Sequence, residues 1–362
     1  MYGRRHIAPA FAACTLLAAC ESDPTLPSAQ GAQHAVVKGS GVEAGLTLYG
    51  LGSLRRATPG TPCSAGAYRQ FDFWVGSWVV MNAQTGVASA TNRIDVGLDG
   101  CVVIENWKPN NGFWGRSLNS YDAETGQWNQ TWVTEAGRPF RMSGELRPDG
   151  VMDLIGVREP SFGGPNWVDH YTWTQLDSDH VVQAFTFDGP AHFEGQILYT
   201  RNADLPITTS AGGTRCFAGG DAAESRLLDF TLGSWVVRAK NGLELGISEI
   251  ALDPTMSGCL LIESFSTRKG YQAIAWLYYD PVENRFYRTY SDSEGGRVEV
   301  RGEPSMEPLV LEGDEPLPGA PDARLRMTWQ TISASELQQT WEVSKDGGST
   351  WQVAQSLTFT RR

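Results

Sequence analysis

The chain has 362 residues, of which 41% are hydrophobic, and a formal net charge of −12 at pH 7. Because an acidic surface of this kind repels phosphate backbones, the composition argues against a nucleic-acid partner. The 13 tryptophans and the other apolar residues can fill large cores, and the length suits two domains of about 140–150 residues after an N-terminal extension.

The N-terminus predicts export. Arg4 and Arg5 precede an apolar run that is too short to cross a bilayer as a helix and that ends in LAAC at 17–20. This ending resembles the lipobox of bacterial lipoproteins, which implies cleavage before Cys20 and lipidation of that cysteine. An ordinary signal peptide followed by a chance cysteine is the alternative.

The first 62 residues therefore divide into two predicted segments. Residues 1–19 are expected to form a lipoprotein signal peptide, and residues 20–62 a lipidated cysteine and a flexible tether rich in Gly, Ser, Ala and Pro. No later segment has the roughly 18 consecutive apolar residues of a membrane span, so we expect lipid to be the only membrane anchor. Glu21 rather than Asp follows the cysteine, which favours the outer over the inner membrane of a bacterial envelope.

The rest of the sequence is duplicated. FDFWVGSWVV (71–80) returns as LDFTLGSWVV (228–237), and GCVVIENW (100–107) returns as GCLLIESF (258–265). Further matches follow in the same order, and a period this long indicates a duplicated domain rather than a solenoid. The predicted domains are residues 63–203 and 215–362, and residues 204–214 are the predicted linker between them.

Four cysteines lie outside the N-terminal segments, two in each copy. They are Cys63 and Cys101, then Cys216 and Cys259. Four cysteines allow three connectivities, and pairing within each copy is the one that keeps both domains self-contained. An exported compartment permits such disulfides. Zinc binding is the competing interpretation, but the spacing is not Cys-x-x-Cys and the second copy contains no histidine, so no metal is expected.

Each copy reads as a series of short strands. Runs such as HVVQAFTF (180–187) are β-branched or aromatic and often alternate with polar residues, and turn sequences such as Pro-Asp-Gly (148–150) separate them. Many short strands with hairpin-length connections indicate an up-and-down barrel or a sandwich.

The motif Gly-x-Trp opens the first strand of each copy, and an arginine ends the last. The arrangement resembles that of calycin, or lipocalin-like, proteins, and the longer string of shared motifs resembles an uncharacterised bacterial lipocalin-like family. The resemblance implies an all-β fold of two tandem lipocalin-like antiparallel up-and-down β-barrels, in which tryptophan closes one end and arginine packs over it within about 6 Å. It implies no function. The barrel-closing residues would be Trp78, Arg201, Trp235 and Arg361.

Glu105 and Glu263 occupy the same point of the two copies, inside apolar strands. One interpretation is functional: the carboxylate is a polar anchor, or an acid of raised pKa, inside the barrel. The alternative is structural: the carboxylate pairs with an arginine or bonds to the backbone.

The two copies differ most at 113–120. Strand alternation puts Ser117 and Asn119 on one face and Arg116 on the other. If one of these faces points inward, the first copy carries polar groups in its cavity; the alternative is that the polar face lies outside. The first copy is therefore the favoured ligand site.

Tryptophans in the first copy either line a pocket or fill the core. Gln130 shares a face with two of them and would reach the same cavity. The candidate ligand-binding set is Glu105, Trp107, Arg116, Ser117, Asn119, Trp128, Gln130, Trp132 and Trp173.

These observations favour an exported lipoprotein that binds a small, mostly apolar or amphipathic molecule without a cofactor. The sequence contains no G-x-S-x-G, HExxH or Walker motif, and no GxGxxG after a predicted strand, so no catalytic residue is assigned. An enzyme acting within the first barrel and a purely structural scaffold are the alternatives.

Overall fold

A computed structural model describes residues 62–64, 66–110, 114–135, 139–158, 165–202, 223–268, 270–305, 307–314 and 320–362. The predicted signal peptide, lipidation site and linker lie outside these residues, as does the tether apart from Pro62, and they remain predictions.

The first copy forms a closed barrel, called barrel 1 below. Within the described residues, ten antiparallel strands each pair with the next along the chain, and the last pairs with the first. They are β1 (Gly76–Asn82), β2 (Ala88–Gly97), β3 (Val102–Pro109), β4 (Gly115–Asp122), β5 (Gln127–Thr134), β6 (Phe140–Leu146), β7 (Val151–Arg158), β8 (Trp167–Gln175), β9 (His180–Asp188) and β10 (His192–Arg201).

The second copy forms barrel 2 with the same order of pairing. Its described strands are β11 (Gly233–Ala239), β12 (Glu244–Leu252), β13 (Leu260–Thr267), β14 (Gln272–Asp280), β15 (Arg285–Asp292), β16 (Arg297–Gly302), β17 (Leu309–Asp314), β18 (Arg324–Ser333), β19 (Glu336–Ser344) and β20 (Gln352–Arg361). The predicted all-β fold with two tandem antiparallel barrels is confirmed.

Short 3-10 helices connect to the strands. Before β1 lie Pro62–Ser64, Gly66–Arg69 and Asp72–Trp74, and Leu98–Gly100 joins β2 to β3. Ala223–Arg226 and Asp229–Thr231 precede β11. No helix among the described residues has both the length and the apolar character needed to span a bilayer.

The predicted closure of barrel 1 consists of Trp78 and Arg201. The indole Nε1 of Trp78 donates a hydrogen bond to the carbonyl of Trp74 at 2.8 Å, and the Arg201 guanidinium lies 4.2 Å from the centre of the ring. Arg201 also donates to the carbonyl of Val75 at 3.0 Å. Gly76 has a φ of 145°, and a Cβ there would collide with Arg201 Nη1, so this turn requires glycine.

Barrel 2 repeats this closure. Trp235 Nε1 donates to the carbonyl of Thr231 at 2.8 Å, and the Arg361 guanidinium lies 4.4 Å from the centre of the indole ring. Both arginines thus lie within the cation–π distance implied by the resemblance.

A disulfide ties the segment before β1 to the start of β3. Cys63 and Cys101 are bonded, with their Cα atoms 4.9 Å apart. The predicted second disulfide involves Cys216, which lies outside the described residues.

The barrels pack against each other through the outer faces of β3–β5 and β13–β15. Apolar side chains from both barrels, among them Leu118 and Trp276, form one buried cluster. At its edge the hydroxyls of Thr131 and Thr289, which are equivalent positions of the two copies, lie 3.2 Å apart. Equivalent residues of the two barrels therefore meet at this contact.

Candidate ligand-binding site in the first barrel

Side chains from four neighbouring strands form a hydrogen-bonded series inside barrel 1. We call this series the polar chain; its members are Asn92, Glu105, Ser117, Asn119 and Gln130. The Asn92 amide donates to Glu105 Oε1 at 2.7 Å, and the Ser117 hydroxyl donates to Glu105 Oε2 at 2.8 Å. Asn119 Nδ2 donates to Ser117 Oγ at 2.9 Å, and Gln130 Nε2 donates to Asn119 Oδ1 at 2.7 Å. Strand pairing explains the chain, because Glu105 lies opposite Ser117 and Asn119 lies opposite Gln130.

Glu105 is the charged member of the polar chain. The residue is 4% exposed, and its hydrogen-bond donors, Asn92 and Ser117, are both neutral. Burial raises the pKa of the Glu105 carboxyl to about 7, although the two donors act in the opposite direction. A carboxyl with this pKa changes charge near neutral pH and is suited to proton exchange or to pairing with a cation.

Two buried polar atoms near the polar chain have no hydrogen-bond partner. Asn92 Oδ1 accepts no hydrogen bond, and Trp173 Nε1 has no acceptor. Asn92 and Trp173 are only 2% and 1% exposed. Buried polar atoms are ordinarily satisfied, so Asn92 Oδ1, which belongs to the polar chain, is an acceptor that a bound molecule could use, whereas Trp173 Nε1 lies in the core packed on Phe71.

The inner wall towards the end opposite the Trp78 closure is aromatic. The rings that strand alternation points inward, and that remain partly exposed, include Trp107, Trp132, Phe140, Tyr171, Phe185 and Phe187. Phe185 lies 5.9 Å from Tyr171 and 5.3 Å from Phe187, measured between ring centres. These rings therefore give the inner wall of barrel 1 an aromatic surface that the described residues do not bury completely.

A buried ion pair lies beside these rings. Arg158 Nη2 donates to Asp169 Oδ1 at 2.6 Å, and Arg158 Nε makes a second bond to the same carboxylate. The Asp169 side chain is 1% exposed, whereas that of Arg158 is 26% exposed. The guanidinium also lies 4.8 Å from the centre of the Phe140 ring. The two charges cancel, so among the described residues of this interior Glu105 is the carboxyl without a cationic partner.

Barrel 2 arranges the same glutamate differently. Glu263 accepts from Ser248 at 2.9 Å and from the Arg288 guanidinium at 2.8 Å. Arg288 in turn lies 5.2 Å from the centre of the Tyr290 ring and 5.6 Å from that of Trp341. Glu263 is therefore a structural glutamate paired with arginine, which is one of the two interpretations of these glutamates given above.

The interior of barrel 2 is also more completely filled. Tyr290, Met327 and Trp341 are 8%, 0% and 6% exposed, whereas their counterparts in barrel 1 are Trp132, Tyr171 and Phe185, which are partly exposed. Ser117 and Asn119 are replaced by Ala275 and Leu277, which belong to the apolar core.

The structure places the sequence-predicted residues in three groups. Glu105, Ser117, Asn119 and Gln130 belong to the polar chain, and Trp107 and Trp132 to the aromatic wall. Trp128 and Trp173 pack on Phe71, and each ring centre lies 5.4 Å from that of Phe71. Both belong to the same buried cluster as Trp78.

Arg116 does not belong to the site, which corrects its assignment as a ligand-binding residue. It lies on the outer face of β4, where it forms a buried ion pair with Asp253 of barrel 2 and packs 5.6 Å from the centre of the Trp276 ring. The alternation that turns Ser117 inward necessarily turns Arg116 outward.

Sequence reasoning missed several interior residues. Asn92, Asp169 and Tyr171 lie on inward faces, and their counterparts in the second copy are Ser248, Leu325 and Met327. Comparing the copies at every second position, beyond 113–120, would have found them. The described residues contain no group of three or more His, Cys, Asp or Glu arranged to hold a metal ion.

Comparisons with known proteins do not assign this chain to a family. No protein-family model and no curated protein matches the chain. One similar solved structure is a protein of unknown function from the DUF3598 family of Nostoc punctiforme, with 10% identity, 82% of this chain and 97% of that chain covered, and a TM-score of 0.17. Another is EF1p2_mFAP2b bound to DFHBI, with 14% identity, 38% of this chain and 99% of that chain covered, and a TM-score of 0.17.

Proposed function

We propose that this chain binds a small, mostly apolar or amphipathic molecule inside barrel 1. The observation that carries the proposal is the polar chain around Glu105 next to a partly exposed aromatic wall. Small-molecule sites are typically apolar concavities with a few convergent polar groups that fix the ligand's orientation. Barrel 2 lacks this combination, because Arg288 pairs with its glutamate and apolar side chains fill its interior.

The proposal includes the cellular setting. The lipobox-like sequence ending at Cys20 and the tether after it support an exported protein held in a bacterial envelope by lipid, with the outer membrane favoured. The Gly-x-Trp closure supports a lipocalin-like relationship.

Native mass spectrometry of protein purified from its own envelope tests the proposal. We expect a bound small molecule that is lost in a Ser117→Ala, Asn119→Leu double variant, which carries the residues of the second copy. The matched control is Ala275→Ser with Leu277→Asn in barrel 2, which should retain the ligand. An empty wild-type protein that also binds no apolar probe would contradict the proposal and favour a structural scaffold.

An enzyme acting in barrel 1 is the second candidate, and the Glu105 carboxyl is the observation that favours it. Its pKa of about 7 suits a general acid or base at neutral pH. If the bound molecule is chemically converted on incubation, and Glu105→Gln binds it without converting it, the function is catalytic. Recovery of the molecule unchanged supports binding alone.

A further inference from the structure

The two barrels hold equivalent glutamates in different electrostatic surroundings. From this difference we infer that barrel 1 binds an organic cation, namely a primary ammonium or a guanidinium attached to a flat apolar body, with Glu105 as its counter-ion. The inference rests on the proposed function and names the chemical class of the ligand.

Arg288 of barrel 2 shows how such a group fits. Its guanidinium donates to Glu263 Oε2 at 2.8 Å and lies between the rings of Tyr290 and Trp341, at 5.2 and 5.6 Å from their centres. Arg288 is 3% exposed. Barrel 2 thus contains an organic cation, bound to a buried glutamate and two aromatic faces, that belongs to its own chain.

Barrel 1 retains the surroundings of that cation but not the cation itself. Glu105 corresponds to Glu263, and Trp132 and Phe185 correspond to the two flanking rings. The counterpart of Arg288 is Gln130, which is shorter and neutral and donates its hydrogen bond to Asn119. A buried carboxylate with aromatic neighbours and no guanidinium is complementary to a cation supplied from outside.

Among the described residues, the other charges of the barrel 1 interior do not neutralise Glu105. Arg158 makes two hydrogen bonds to Asp169, so this pair adds no net charge. An anionic ligand would be repelled by the ionised Glu105 in a region of low dielectric, and a neutral ligand would gain no ion pair.

The acceptors near Glu105 indicate a cation with several N–H groups. Each carboxylate oxygen of Glu105 has one protein donor and can accept another hydrogen bond. Asn92 Oδ1, on the side chain that donates to Glu105, accepts none. A primary ammonium or a guanidinium supplies donors to both groups, whereas a quaternary ammonium supplies none.

Three matched probes test the charge of the ligand. The probes are 1-naphthylmethylammonium, 1-naphthylmethanol and 1-naphthoate, titrated into the full mature chain by calorimetry at about pH 8, where Glu105 is ionised and the amine is still protonated. We expect the ammonium to bind at least about tenfold more tightly than the alcohol, and the carboxylate to bind weakest.

Two variants locate the binding. Glu105→Gln should reduce the preference for the ammonium over the alcohol to about twofold or less while retaining alcohol binding, which shows that the variant is folded. Gln130→Arg should supply the guanidinium internally, as Arg288 does, and weaken ammonium binding by at least about tenfold. A Glu263→Gln, Arg288→Gln double variant in barrel 2, which removes both partners of the buried pair, is the matched control and should leave the ratio of the two affinities unchanged.

The outcomes separate this inference from the proposed function. Equal binding of ammonium and alcohol, or tighter binding of naphthoate, would overturn the cation assignment while leaving barrel 1 as a binding site. Unchanged ammonium affinity in a folded Gln130→Arg variant would also overturn it. If no probe binds and the envelope-purified protein carries no ligand, both proposals fail.

Discussion

Replacing Glu105 by glutamine should make the stability of the protein less dependent on pH. In the unfolded chain this carboxyl ionises near its ordinary pKa of 4.5, whereas in the folded protein burial raises its pKa to about 7. Between these values the folded state binds more protons than the unfolded state, so the stability that Glu105 contributes is present below pH 4.5 and is lost as the pH rises through 7. The loss corresponds to about 3 kcal/mol, since one pKa unit is about 1.4 kcal/mol.

Glutamine has nearly the same shape and does not titrate. The free energy of unfolding of Glu105→Gln, measured relative to wild type, should therefore rise by about 3 kcal/mol between about pH 4 and about pH 8. The other titratable groups in electrostatic contact with Glu105 are Tyr171 and Tyr199, and burial raises the pKa of both, so they stay neutral over this range. Arg158 and Asp169, which also act on Tyr171, are the charged pair of the same interior.

Urea unfolding followed by tryptophan fluorescence at both pH values measures this difference. If the difference in the free energy of unfolding between wild type and variant is the same at both pH values, Glu105 is not a desolvated carboxyl and the reasoning is wrong. Glu263→Gln provides the contrast, because it leaves the buried Arg288 guanidinium without its carboxylate. The free energy of unfolding of that variant should be roughly 3–5 kcal/mol lower than that of wild type at about pH 8. For Glu105→Gln, the change from about pH 4 to about pH 8 is instead an increase.

Three further predictions concern the framework, and denaturant unfolding measures each of them. Arg116→Ala leaves the Asp253 carboxylate, which is 1% exposed, without its buried partner and should cost roughly 3–5 kcal/mol; a loss below about 1 kcal/mol would mean that the ion pair between the barrels is not needed. Replacing Cys63 and Cys101 by serine opens a loop with a sequence separation of 38 residues and should lower the free energy of unfolding by about 4 kcal/mol. A reduced wild type as stable as the oxidised protein would contradict this prediction. Arg201→Ala removes the guanidinium over the closing indole of barrel 1 and should cost about 1–2 kcal/mol; no change would indicate that the tryptophan closes the barrel unaided.

Much of the fold could be predicted from the sequence because its determinants are local. The two Gly-x-Trp motifs, the alternating strands and the terminal arginines recur in both copies, and each acts on near neighbours or on the adjoining strand. The separation of Ser117 from Arg116 is equally local, since adjacent residues of a strand face opposite sides. Which of the two faces points inward follows only when the sheet closes.

The destination of Arg116 could not be predicted, because its partner Asp253 lies in the other copy. Packing between barrels depends on three-dimensional placement of two outer faces, and no local pattern pairs them. One indication was nevertheless present: the counterpart segment Gln272–Asp280 is apolar on both faces, which is typical of a strand buried on both sides. Since the copies are related, that pattern indicates a covered outer face on β4 as well.

The titration of Glu105 and the binding of a cation are linked, which provides a final prediction. A cation stabilises the ionised carboxylate and lowers its pKa, so binding at a pH below about 7 must release a proton from Glu105. At about pH 6.5 the free protein should release roughly three-quarters of a proton for each 1-naphthylmethylammonium bound, because about that fraction of Glu105 is protonated beforehand. Calorimetry in two buffers with different ionisation enthalpies measures this number. Glu105→Gln should release none, whereas the Glu263→Gln, Arg288→Gln double variant should match wild type. Binding without proton release in wild type would mean that the ammonium does not reach Glu105, even if its affinity is high.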